Sequence, residues 1–258
     1  MILYSKKYAS NGQDLVILHG LFGMSDNWNS LGKRFSDHFR VHLLDLRNHG
    51  RSPHSSFFDY QCMSEDVVKY ILDNQLTRPI LLGHSLGGKV AMALAFKNPD
   101  IVSKLIIIDI APKKYSTDFH RSVLEIVSGL ELNNFNHRSE VDNFLSKKIA
   151  SYGIRQFLLK NLYRDQQKNL RWRFNFQDIY KNLRNIETAE FVKGVCTLPT
   201  HFFRGDQSTY VLKSDEVSIS NHFSNYNIIT IENAGHWLHA DNPNQLFKSV
   251  ISLTTKEK

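Results

Sequence analysis

The sequence predicts an α/β fold, a mostly parallel twisted sheet flanked by helices, with a helical insertion standing over one edge of that sheet. Three observations predict it. Short apolar runs alternate with segments of helical period. Several of the runs are nearly continuous in apolar residues, as strands covered on both faces are. The alternation breaks once, over a long stretch with no convincing core strand.

Taken in order, the first core strand is expected at residues 15–18, followed by the turn His19-Gly20-Leu21-Phe22-Gly23. Trp28, Leu31 and Phe35 then recur at spacings of three and four, a helix signal. Residues 41–44 read as the next strand. Met63, Val67, Val68, Ile71 and Leu72 mark the helix after it. A strand at 79–82 runs into Gly83-His84-Ser85-Leu86-Gly87-Gly88, and Val90, Ala91, Leu94 and Ala95 continue as a helix. Further strands are expected at 105–108, 200–203 and 227–231. Asn242-Pro243, a cap with proline in the first turn, opens a last helix holding Leu246 and Val250. The closing Lys256-Glu257-Lys258 is expected to fray.

Between residues 112 and 195 lie three short amphipathic pieces instead of strands. They are Val123, Ile126, Val127 and Leu130; Val141, Phe144 and Leu145; and Ile154, Phe157 and Leu158. A structureless loop of that length has no place in a compact domain. The expected division is therefore a core of residues 1–111 and 196–258 and a helical cap, or lid, of residues 112–195.

Bulk properties narrow the class. A chain of 258 residues is long enough for one substantial core. With 41% hydrophobic and 22% charged residues, the chain reads as an ordinary globular protein. No run approaches the ~20 apolar residues of a membrane span, and residues 1–9 lack the apolar core of a secretory signal. Cys62 and Cys196 are far apart and show no metal or redox spacing, which reads as two free, buried thiols in a reducing cytoplasm. The net charge of +7 comes with no basic run and no nucleic-acid module, so it reads as solvated surface, with no nucleic-acid partner.

The strand, tight turn and helix around Ser85 are the setting that a Gly-x-Ser-x-Gly nucleophile requires. The turn forces the serine into a strained conformation and brings neighbouring chain too close for side chains two positions away, so glycines stand there. Ser85 is thereby lifted beside a helix N-terminus. The glycine turn after the first strand would supply one backbone N–H to an oxyanion hole, from Leu21, with Leu86 supplying the other. Of twelve histidines, His236 in Ala234-Gly235-His236-Trp237 follows a strand, precedes the last helix and comes last in chain order, as the general base of such a site does. His239 is its rival.

With these segments in order, together with Asp45-Leu46-Arg47-Asn48-His49-Gly50-Arg51-Ser52 and Ile108-Asp109-Ile110-Ala111-Pro112, the chain resembles the α/β-hydrolase superfamily over nearly its whole length. Within that superfamily it resembles more particularly the bacterial esterases of the YbfF type. The resemblance implies the α/β-hydrolase fold with its cap inserted after the sixth strand. It also implies cleavage of carboxylic esters, and of acyl thioesters such as acyl-CoA, through an acyl-serine, with no cofactor and no metal. A serine at position 85 excludes the aspartyl-ester chemistry of haloalkane dehalogenases and epoxide hydrolases. Carbon–carbon bond hydrolysis on the same residues, and a ligand receptor with vestigial hydrolysis, remain as alternatives. The partner implied is a small-molecule ester or thioester; monomer and homodimer both stay open.

The acid is the least regular part. Most relatives carry it in Gly-x-x-Asp after the seventh strand, where this chain reads Gly205-Asp206-Gln207-Ser208, with Ser208 in the acid's place. YbfF-like enzymes are similar in using an aspartate after the preceding strand, here Asp109, with a serine at the later site. An acid there can reach the same imidazole, because adjacent strands lie only ~5 Å apart. Ser208 is then an accessory to the triad. Asp206 is the competing acid.

Residues 113–193 hold fifteen Lys plus Arg against nine Asp plus Glu, an excess of six that accounts for nearly all of the +7. With aromatics interleaved, this could line a site for an acyl chain with an anionic head such as coenzyme A, or simply keep the cap soluble.

Overall fold

The computed structural model describes residues 1–8 and 11–254. Residue 9, which closes the N-terminal stretch read above, and Lys256-Glu257-Lys258 lie outside the described residues. The chain order is β1 (Ser5–Tyr8), β2 (Asp14–Leu18), α1 (Asn29–Phe35), β3 (Arg40–Leu44), α2 (Tyr60–Asp73), β4 (Ile80–His84), α3 (Leu86–Lys97) and β5 (Lys104–Ile108). The segment that follows contains α4 (Asp118–Ser128), α5 (Arg138–Ser146), α6 (Tyr152–Leu159), β6 (Leu162–Arg164), β7 (Leu170–Trp172) and α7 (Phe176–Lys181). The chain then returns through β8 (Thr200–Gly205), α8 (Glu216–His222), β9 (Tyr226–Ile231), α9 (Leu238–Asp241) and α10 (Pro243–Thr254).

Seven strands form one sheet in the order β1-β3-β2-β4-β5-β8-β9. All neighbours pair in parallel except β1, which runs antiparallel to β3 at the edge. Every residue of β2, β4 and β5 is buried, as the continuous apolar runs require. Alternation along a strand sends side chains to opposite faces. Val16 and Leu18 thus join α2 and α3 through Met63, Val67, Val90 and Leu94, while Leu15 and Ile17 join α1 and α10 through Leu31, Phe35, Leu246 and Val250. This is a mostly parallel sheet with helices on both faces.

The ends of the elements follow local chemistry. Asp59 caps α2 by accepting from the Cys62 N–H at 2.7 Å, and Asn242 accepts from the Gln245 N–H at 3.2 Å ahead of α10. In the loop after β3, Arg47 reaches α2. Its Nε donates to the buried Asp66 at 2.6 Å, and its other nitrogens donate to the carbonyls of Phe57 and Cys62.

Four expectations need correction. The edge strand β1 has no apolar run to announce it, since Lys6 and Lys7 sit in its middle. The strand before the insertion is the fifth of this chain, not a sixth, because only β1, β2 and β3 precede β4. The insertion is not purely helical: β6 and β7 form an antiparallel hairpin, too short to show a period in sequence. Cys62 is half-buried while Cys196 is buried, and both are free. The insertion packs against the sheet domain as one core, with Leu124, Leu145, Leu158 and Phe174 in the same buried cluster as Leu18, Leu81 and Val90.

Arg47→Met should leave buried Asp66 with only the N-terminal amine as a charged partner. Breaking such a pair costs about 3 kcal/mol. Urea unfolding should report a loss of that order; a change under about 0.5 kcal/mol, the ordinary scatter of neutral surface substitutions, would count against the pair.

Candidate active site

The site stands at the C-terminal ends of the parallel strands, where chain leaving β2, β4, β5, β8 and β9 converges. Ser85 lies between β4 and α3 with φ 52 and ψ −116, a strained conformation for a residue with a side chain. The flanking glycines are there for space. A Cβ on Gly83 would fall 2.3 Å from the Gly87 carbonyl oxygen, and one on Gly87 would fall 2.5 Å from that of Leu18. Leu86 opens α3, so its N–H has no partner one turn earlier in the helix.

His236 follows β9. Its Nδ1–H donates to Asp109 Oδ2 at 2.7 Å. Asp109 ends β5, is fully buried and has a φ of 51. Its Oδ2 also accepts from the Ser208 hydroxyl, and its Oδ1 accepts from the Gly205 N–H at 3.3 Å. Asp206, the competing acid, faces elsewhere. It is exposed, and its carboxylate accepts from the N–H groups of Asn233 and Ala234 at 3.0 and 3.1 Å, which hold it below the usual carboxylate range. It braces the turn that leads into Gly235-His236. His239, the rival base, stacks on Trp28 at 4.5 Å, and burial together with nearby His236 lowers its pKa to about 3. The structure joins His236 and Ser208 to Asp109 by hydrogen bonds and sets Leu21 and Ser85 on one cavity with His236, Leu86 following Ser85 directly; Asp206 stands outside, and His239 lines the cavity without joining that hydrogen-bonded group.

Ser85 and His236 line one cavity of about 230 Å³. Its far wall comes from the insertion through Phe119, Val123, Ile154, Phe157 and Leu158, with Trp237 beside them, and among the described residues no Lys, Arg, Asp or Glu lines it. Several cations of the insertion are engaged elsewhere: Lys113 pairs with Asp215 at 2.7 Å, Arg155 with Asp142 at 2.8 Å and Arg171 with Asp165 at 3.2 Å.

Several contributors carry no distinctive sequence signal. Tyr210 stacks on the His236 ring with centroids 3.6 Å apart. His84 Nε2–H donates to the His236 carbonyl at 2.8 Å, tying the two catalytic loops together. His120, from α4, faces the same cavity.

The loop Asp45-Leu46-Arg47-Asn48-His49 supports the loop after β2 from behind. The Leu46 N–H donates to His19 Nε2 at 3.0 Å, and the Phe22 N–H donates to His49 Nε2 at 3.1 Å. Their Nδ1–H groups donate in turn to the carbonyls of Gly20 and Arg47. Both rings must be neutral to accept in this way. Burial is the main cause that lowers His19 to about 4 and His49 to about 3, and His19 adds to the effect on His49.

Comparison with known proteins identifies the family and the fold. The alpha/beta hydrolase fold family matches residues 15–243. A mouse (Mus musculus) sn-1-specific diacylglycerol lipase is 37% identical over 245 residues, covering 92% of this chain and 80% of its own. Esterase YbfF of Escherichia coli is 29% identical, covering 93% of this chain and 92% of its own. Among solved structures, a marine microorganism esterase superposes with a TM-score of 0.94 at 36% identity, covering 97% of this chain and 98% of that one.

The two buried imidazoles set an acid limit on stability. Below about pH 6.5 the unfolded chain takes up protons at both, whereas the folded chain resists until about 4 at His19 and about 3 at His49. Stability present at neutral pH is therefore lost on acidification, at up to ~1.4 kcal/mol per pH unit for each ring. Urea unfolding should show this fall between pH 7 and 5, and His49→Asn should reduce the slope by about one proton. A flat profile over that range would contradict it.

Proposed function

The chain belongs to the α/β-hydrolase family, and from that premise we propose that it is a serine esterase cleaving carboxylic esters through an acyl-Ser85 intermediate. One observation carries the reading: Ser85 and His236 share a cavity whose walls are apolar or neutral, with the Asp109 carboxylate behind the imidazole. Such a cavity suits an ester bearing an apolar arm. By their names, the mouse relative is a diacylglycerol lipase and the Escherichia coli relative an esterase.

In this mechanism Ser85 Oγ attacks the ester carbonyl carbon as its proton passes to His236 Nε2. Asp109 keeps the imidazole in the tautomer with hydrogen on Nδ1 and stabilises the imidazolium that forms. The carbonyl oxygen, now negative, accepts from the backbone N–H groups of Leu21 and Leu86. One such donor contributes ~3–4 kcal/mol in the transition state. His236 then gives its proton to the departing alcohol oxygen. Water repeats the sequence on the acyl-enzyme, releasing the acid and restoring Ser85. Ser208 donates to the Asp109 carboxylate without supplying charge, which makes it an accessory group.

An acyl thioester would pass through the same intermediate. The cationic excess of the insertion is the feature that favours it, although those side chains stay outside the cavity that holds Ser85.

Ser85→Ala should lose ~10⁶-fold in turnover of an aryl ester if the enzyme is efficient, because serine and histidine act as a unit. Asp109→Asn should lose ~10⁴-fold through the wrong tautomer, by analogy with other triads. Asp206→Asn should lose under about tenfold and Ser208→Ala should fall between, the carboxylate alone carrying charge to the ring. These are steady-state rates on variants matched for folding by circular dichroism. Normal turnover by folded Ser85→Ala would end the mechanism, and an inactive Asp206→Asn beside an active Asp109→Asn would move the acid.

A further inference from the structure

A second, smaller cavity of about 110 Å³ opens on the other side of Ser85. It shares Leu21, Ser85, His120 and Tyr210 with the larger one but includes Leu86 and excludes His236. Its charged group is Lys89, the residue one helical turn after the nucleophile. Residues four apart lie on one face of a helix, and helical side chains lean toward the N-terminus, so the Lys89 stem leans back toward the turn that carries Ser85.

Lys89 is almost wholly buried, at 1% exposure. Its ammonium donates to the carbonyl of Thr188 at 2.8 Å and approaches that of Glu187 at 3.5 Å. It lies over the rings of Tyr60 and Tyr115, 5.4 and 5.0 Å from their centroids. None of these partners carries a full negative charge. Among the described residues no carboxylate pairs with it. The Glu187 carboxylate is taken by the Thr117 hydroxyl and by Lys114, and Asp215 is taken by Lys113. Lys113 lies over the Tyr115 ring as well, adding positive potential rather than neutralising it. Burial, and then Lys113, lowers the Lys89 pKa to about 7. A buried cation without a counter-charge is costly unless something brings one.

The reaction assigns the two cavities to different ends of the substrate. The alcohol that leaves takes its proton from His236, so it must lie on the His236 side, in the larger apolar cavity. The acyl substituent points the other way, past the oxyanion donors and toward Lys89.

We propose that the smaller cavity is an acyl subsite in which Lys89 binds a terminal carboxylate, so that hemi-esters of short dicarboxylic acids are preferred substrates. This rests on the serine esterase reading above and adds to it the identity of the acyl end. The carboxylate brings the missing charge to the ammonium. A charge-assisted hydrogen bond to a buried cation raises kcat/KM by about tenfold or more.

The test uses succinyl, glutaryl and adipyl hemi-esters of one apolar alcohol, each paired with the substrate whose free carboxylate is replaced by an isosteric primary amide. The readout is the acid-to-amide ratio of kcat/KM. Wild-type protein should favour the acid by about tenfold or more at one chain length. Lys89→Met should remove that ratio, and Lys89→Arg should retain a preference for the acid. If Lys89→Met does not fold, the wild-type ratio decides alone. An acid no better than its amide at every chain length overturns the subsite, as does a Lys89→Met protein that keeps the ratio. A Lys89→Met protein that slows both substrates equally also overturns it, leaving Lys89 as a tie to the insertion. In each of these outcomes hydrolysis of the amides still supports the esterase reading; failure to hydrolyse either series would remove both.

Discussion

One buried carboxylate holds the proposed catalytic machinery together. Asp109 ends β5 in a left-handed conformation, and its two oxygens accept from Gly205, Ser208 and His236. Three chain segments that follow three different strands are fixed to one another at that point. The arrangement is possible because β5, β8 and β9 are adjacent in the sheet and run in the same direction. Their loops therefore emerge side by side, and a short side chain on the first can reach an imidazole on the last. If Asp109 were lost, the imidazole would lose its tautomer and the loop after β8 its anchor. The loop's remaining support would come from Asp206, which is tied to backbone N–H groups of Asn233 and Ala234.

Around that carboxylate, neutral histidines do the work of backbone spacers. His19 and His49 each accept from one main-chain N–H and donate to one carbonyl, and His84 joins the elbow to the His236 loop. A buried imidazole is suited to this because its two nitrogens satisfy one donor and one acceptor without introducing charge. The recurrence of histidine near the site thus has two separate causes. One ring, that of His236, bonds the buried Asp109 carboxylate and is the proposed proton carrier, while the others are placed where burial keeps them unprotonated.

Much of this was legible in the residues. The elbow around Ser85 and the loop of His236 could be read because glycine spacing and apolar runs are local signals. Six of the seven sheet strands announced themselves in the same way. The edge strand β1 did not, since a half-exposed strand with Lys6 and Lys7 has no apolar run to show. The hairpin of β6 and β7 was hidden because three-residue strands carry no period. Asp109 and Asp206 could not be separated by counting alone, because the choice depends on which carboxylate faces an imidazole more than 25 residues away in either case. Lys89 carries no signal in the sequence beyond following the glycines of the elbow. Its burial comes from Tyr60 and Tyr115, residues that only the folded chain brings to it.

The insertion is built into the molecule rather than laid over it. Asn161 donates to the Phe22 carbonyl at 2.8 Å, the Asn175 N–H to Asn48 at 2.8 Å, and the Tyr60 hydroxyl to Ile186 at 2.6 Å. Leu124, Leu145 and Leu158 share a continuous apolar core with the sheet. Swinging this segment away as a flap would expose that core to water and break those bonds at once. In the proposed esterase, substrate would therefore enter without this segment leaving the core. A lipid–water interface has no closed flap to open here, so catalysis would follow the dissolved concentration of an ester and would show no jump in rate when the ester begins to form droplets or micelles.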